Sequence, residues 1–131
     1  MEGIFINGNP ENSQIEISGT VVSFNVLGDI LNKITTMTSF KLQTFSNKFY
    51  PKKFEFLQLI YQDDETNRIS IETEDDKLII KGNSVAFNML GDSLSNFFDE
   101  ESKKDDHFHI DYYDGNDMLN PTNISLVFIC L

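Results

Sequence analysis

This 131-residue sequence has a single cysteine, about half as many basic as acidic residues, and no long apolar run. The lone Cys130 excludes an internal disulfide and a cysteine metal cluster, and its place in the run ISLVFICL reads as buried core. No apolar stretch approaches the roughly 20 residues of a membrane-spanning helix. The opening MEGIFINGNP lacks the basic start and apolar stretch of a secretory signal, so a cytoplasmic location is expected. With 10 basic against 21 acidic residues the net charge is -11, which makes nucleic acid and anionic membrane poor partners. There is no phosphate-binding glycine loop, no zinc-protease helix signature, no calcium loop and no nucleophile elbow, so neither a reaction nor a cofactor is signalled. The 40% of hydrophobic residues are enough to bury one core, and a single domain is expected.

What is present is a phrase written twice. VSFNVLGDIL starts at Val22 and VAFNMLGDSL at Val85, 63 positions on. Gly19, Val22, Phe24, Asn25, Leu27, Gly28, Asp29 and Leu31 recur as Gly82, Val85, Phe87, Asn88, Leu90, Gly91, Asp92 and Leu94. The likeness extends outward, from QIEISG to KLIIKG and from SFKLQTF to HFHIDYY with Phe40 over Phe108 and Leu42 over Ile110. It closes with FYPKKFEFLQLIY against LNPTNISLVFICL, Pro51 meeting Pro121. The chain therefore reads as two halves, 1–65 and 66–131, within one domain.

In each half the apolar period changes from two to that of a helix and back to two, the returning period-two segments being 39–45 and 53–61, then 107–113 and 123–131. Leu27, Ile30, Leu31 and Ile34 recur at helical spacing, as do, nearly, Phe87, Leu90, Leu94, Phe97 and Phe98, so each phrase is an amphipathic helix with one buried face. Thr20 or Ser23, and Asn83 or Ser84, are the candidate caps. The unit is β-β-α-β-β, giving eight strands and two helices of α+β class. A largely antiparallel sheet with both helices on one face is expected, continuous across the halves, the rival being two smaller sheets packed around the helices. Glycine inside a helix costs about 1 kcal/mol relative to alanine, so Gly28 and Gly91 at matching places suggest close approach, either of the two helices to each other or of each helix to its sheet. Asp29 and Asp92 read as structural, favourable in an early helical turn.

Chemistry could reside in DDHFHIDYYDGND, residues 105–117. If 107–113 is a strand, His107, His109 and Asp111 share a face, a spacing from which a metal could be held. A strand with one core face and one solvated face shows the same alternation. The other carboxylate clusters fall at turns and read as solvated loops. Charge divides unevenly: residues 1–65 hold 5 basic and 8 acidic side chains, whereas 66–131 hold 5 and 13. The acidic residues Asp105, Asp106, Asp111, Asp114 and Asp117 are thus candidates for steering a basic protein partner.

A strand with the phrase HFHID, a turn with Asn-Pro and the closing strand NISLVFI resembles the small acidic α+β immunity proteins of bacterial polymorphic-toxin systems. The resemblance covers residues 82–131. It implies a cytoplasmic protein that neutralises a toxin by binding, without catalysis, and its motifs carry no binding residues over to this chain. A homodimer is the alternative, because Leu57, Leu59 and Tyr61 on one face of a strand, and Phe54, Phe56 and Ile60 on the other, leave apolar side chains on both.

Overall fold

The computed structural model describes all 131 residues. In chain order the elements are β1 (Ile4–Asn9), β2 (Gln14–Gly19), α1 (Val21–Lys33), β3 (Thr38–Lys41), β4 (Lys52–Phe54), β5 (Phe56–Tyr61), β6 (Ser70–Glu74), β7 (Lys77–Gly82), α2 (Ser84–Phe97), β8 (His107–Ile110) and β9 (Ser125–Cys130). The α+β class and mostly antiparallel pairing match the sequence reading. The single continuous sheet does not form. A five-stranded sheet runs β4-β1-β2-β9-β8 and a four-stranded sheet runs β3-β5-β7-β6.

The two orders correspond. Exchanging the halves maps β1-β2-β9-β8 onto β6-β7-β5-β3, so each sheet combines the opening hairpin of one half with the closing pair of the other. The joins are the only parallel pairs between strands, Ile15 opposite Leu126 in one sheet and Leu57 opposite Leu78 in the other. Ile15 and Leu78 are 63 positions apart, which makes Leu57 the counterpart of Leu126. Phe40, paired with Leu57, then corresponds to Ile110, paired with Leu126. Aligning the phrases by sequence places Phe40 over Phe108 instead, but the structural counterpart of Phe108 is Thr38. Connections of unequal length shift the alignment by two residues there.

The segment expected as one strand over 53–61 is broken at Glu55, giving nine strands in place of eight. β4 lies in the first sheet and β5 in the second. At the crossing, the Glu55 amide donates to the Asp76 carbonyl at 2.9 Å while the Glu55 carbonyl accepts from the Leu42 amide at 2.7 Å. The backbone polar groups stay paired although the chain changes sheets.

Strand alternation sends Ile15, Ile17, Leu57, Leu59, Leu78, Ile80, Leu126 and Phe128 into one core shared with both helices. Thr20 caps α1, accepting from the Ser23 amide at 3.1 Å, and Asn83 caps α2, accepting from the Ala86 amide at 2.9 Å. Asn83 also donates to the Asp64 carbonyl and the Asn67 side chain, which ties the β5–β6 connection to the helix start. Phe24, Leu27 and Leu31 of α1 and Phe87, Leu90 and Leu94 of α2 are buried. Complete burial of one such side chain contributes about 1.5–3 kcal/mol.

The helices run antiparallel, with Phe24 stacked on Phe98 at 4.2 Å between ring centroids and Asn32 donating to Asp92 at 3.4 Å. Between these contacts Gly28 and Gly91 face each other. A methyl on Gly91 would lie 2.8 Å from the Gly28 carbonyl oxygen, and one on Gly28 would lie 3.1 Å from the Gly91 oxygen and 2.8 Å from Ser95 Oγ.

Residues 42–51 leave the period-two pattern expected for 39–45 and lie over the outer face of the first sheet. Phe45 meets Phe5 edge-on at 5.0 Å, and its carbonyl accepts from Asn7. Asn47 Nδ2 donates to Glu16 Oε1 at 3.2 Å, and the Tyr50 hydroxyl donates to Gln14 at 3.2 Å. Burial, then the charge of Asp105, pushes the Glu16 carboxyl above its ordinary value, while the Asn47 bond pulls it back. Burial and Glu16 together push the Tyr50 phenol up.

Gly91→Ala should destabilise by about 1–3 kcal/mol through overpacking against backbone, and Gly28→Ala by less, because Ser95 can rotate away. Urea denaturation gives both signs, and a Gly91→Ala protein more stable than the parent would show that the contact is loose. The folded state holds the Glu16 proton more tightly than the unfolded chain, so ionised Glu16 subtracts from stability above its folded pKa. That loss is relieved as pH falls toward 4.5. Glu16→Gln keeps an acceptor for Asn47 and removes the titration. Its urea midpoint should exceed the parent's at pH 7, with the gap closing on acidification; a lower midpoint at pH 7 would mean that the carboxylate is a net stabiliser.

Candidate functional site

The acidic segment brackets β8, the short edge strand of the first sheet. Before it, Lys103–Asp106 closes a turn in which the Asp106 carboxylate accepts from the Lys103 amide at 2.8 Å. The Asp105 amide donates to the Cys130 carbonyl at 2.8 Å, and Asp105 adopts φ of 73°. Burial and these two neighbouring carboxylates raise the pKa of the Cys130 thiol, so it is held as an unreactive thiol in the core. After β8 the chain turns again, with Asn116 Nδ2 donating to the Asp111 carbonyl at 2.7 Å. Asp111, Asp114 and Asp117 are exposed along this turn.

The five aspartates therefore form two groups, Asp105 and Asp106 on one side of β8 and Asp111, Asp114 and Asp117 on the other. They differ in how far they are already engaged. Asp106 holds its own turn, and Asp117 lies 3.9 Å from Arg68 with its side chain 95% exposed. An ion pair of that length at the surface is worth little.

His107 and His109 share the exposed side of β8, their rings edge-to-face at 5.3 Å. His107 Nδ1 lies 2.9 Å from the Asp105 carbonyl, so a proton on that nitrogen is donated to it. The third expected ligand does not join them. β8 ends at Ile110, and Asp111 lies beyond the pleat that would have carried it onto the histidine face. No group of three or more His, Cys, Asp or Glu side chains stands close enough to hold a metal ion.

The residues that sequence reasoning missed lie between α2 and β8. Ser93, Asn96, Phe97, Phe108, Ile110 and Met118, together with His109, line an open groove of about 490 Å³. The sequence pattern puts both Phe97 and Phe98 on the buried face of α2, and the structure separates them. Phe98 is fully buried and Phe97 is 40% exposed.

Asp106→Ala should lower the denaturation midpoint by freeing the Lys103 amide, whereas Asp114→Asn and Asp117→Asn should leave it unchanged. Thermal melts of the three variants separate the acids that hold the fold from those available to a partner, and a large loss for Asp114→Asn or Asp117→Asn would remove that distinction. No protein-family model matches this chain, no curated protein matches its sequence, and no solved structure matches its fold.

Proposed function

We propose that this is a non-enzymatic binding protein, an immunity-type inhibitor that neutralises a basic toxin through the acidic surface of its second half. The observation that carries the reading is uncompensated charge. Against 21 acidic residues there are two ion pairs, Lys81 with Glu72 at 3.1 Å and the long contact of Arg68 with Asp117. Carboxylates left unpaired on a small domain cost self-repulsion and return a field that attracts cations and speeds encounter with a basic partner. Likeness of residues 82–131 to immunity proteins supports the same reading.

The product of the gene adjacent to its own is the test partner. Co-expression should rescue cells from that product. Asp111→Lys combined with Asp114→Lys should slow association at least about tenfold at low salt, and less at high salt, where charges are screened. A neighbouring product that is neither bound nor neutralised ends the proposal.

Self-association is the second reading, favoured by the second sheet. Leu57 and Leu59 are in the core, whereas Phe56 and Ile60 on the opposite face are only half-buried, and Phe54 is buried in β4 of the other sheet. Leu119 in the connection 111–124 bridges to Ile69 just before β6, while 42–51 lies over the face of the first sheet. Light scattering at micromolar concentration should give a dimer on this reading, and a monomer rejects it.

A further inference from the structure

We propose that the groove between α2 and β8 receives a segment of the basic partner, with a hydrophobic side chain seated on Phe97, Phe108 and Met118 and flanking cations facing Asp111 and Asp117. The inference rests on the reading of a basic partner and assigns the contact that gives it specificity.

Phe97 supplies the anchor. Its ring packs against Phe98 at 4.9 Å and against Phe108 at 4.9 Å, so it is held in place while 40% of the residue remains exposed. A ring ordered before binding offers apolar area at little further entropic cost. No lysine or arginine lines the groove, and its one titratable lining side chain is His109. Two exposed carboxylates are chain neighbours of lining residues, Asp111 of Ile110 and Asp117 of Met118, whereas Asp92 beside Ser93 accepts from Asn32 of α1. Arg68 beside Asp117 is the one cation paired there, at 3.9 Å.

The other half contains its own comparison. Beside α1 an open groove of about 380 Å³ is lined by Val26, Asp29, Ile30, Lys33, Ile34 and the threonines through Thr38. Lys33 stands where α2 has Asn96, Ile34 where it has Phe97, and Thr38 where β8 has Phe108. Ile34 is only 8% exposed. At matching places, then, the second groove lacks the cation and carries two aromatic rings. An apolar seat with an acidic margin suits a segment that alternates hydrophobic and basic side chains.

The probe is a labelled ten-residue peptide with two central leucines flanked by arginines, compared with an equally charged peptide carrying serines in their place. Amide shifts should be confined to residues 92–97, 107–111 and 117–118, and the serine peptide should bind at least about tenfold more weakly. Asn96→Lys, an exposed change that imports the cation of the other groove, should weaken the leucine peptide and the adjacent gene product by at least about tenfold. Lys33→Asn should affect neither. Equal binding of the two peptides, no binding of either, or shifts elsewhere on the acidic surface would overturn the groove. So would concentration-dependent shifts there without peptide, which would mean that a second copy fills it. If the gene product binds the parent and Asn96→Lys alike, the groove falls while the basic-partner reading stands. If it binds neither, that reading falls, and the peptide data alone decide the groove.

Discussion

Parallel pairing across the halves is the constraint on which the structure depends. β2 hydrogen-bonds to β9 and β7 to β5, so the centre of each sheet is made by strands from opposite halves. Neither half can cover its own apolar face. The hairpin β1–β2 without β9 would expose Ile15 and Ile17, and the closing pair β8–β9 without β2 would expose Leu126 and Phe128. Separate halves would also present open strand edges, which proteins otherwise protect against association. The exchange joins both halves in each sheet around one shared core.

Helix contact completes the exchange. With both sheets built from both halves, α1 and α2 must meet over the common core, and small residues at their closest point let the backbones approach. The Gly28 and Gly91 oxygens occupy space that any side chain would claim. Around this point the halves diverge. Phe98 stacks on Phe24, and Phe108 on Phe128 at 5.0 Å, whereas Thr35 stands at the place of Phe98 in the first half and Thr38 at that of Phe108. The aromatic cluster and the groove consequently share Phe97 and Phe108, between the acidic turns that precede and follow β8.

Local features were legible in the sequence and pairings were not. The helices and their buried faces follow from periodicity, the caps Thr20 and Asn83 were each one of two candidates, and the cost of glycine in a helix marked Gly28 and Gly91 as places of close approach without saying to what. A period of two says which side chains share a face, but not which strand lies alongside. Leu126 and Phe128 would alternate identically beside β2 or beside β7, so one sheet and two sheets read alike. The break at Glu55 was invisible because apolar residues continue on both sides of it, from Phe54 to Phe56. At the candidate site, the acidic character of 105–117 was evident from charge alone, while the groove depended on Met118 and α2 meeting β8 across a loop. The histidine pair shares a face, as alternation requires of residues two apart in a strand. Its proposed third ligand failed because the strand is shorter than its alternation suggested.

The position of β9 has a consequence for synthesis. Gln14 pairs with Ser125, a separation near the full length of the chain, whereas Phe56 and Lys77 meet across a short span. Contacts between distant parts of a chain close late and slowly. On the ribosome the second sheet, apart from its edge bridge to Leu119, has all its strands once residue 82 has emerged. The first must wait, with the inner edge of β2 unpaired, until residue 130 is free. During that interval the nascent chain carries an apolar hairpin with one bare edge, and the net negative charge of the newly made segments helps keep neighbouring chains apart.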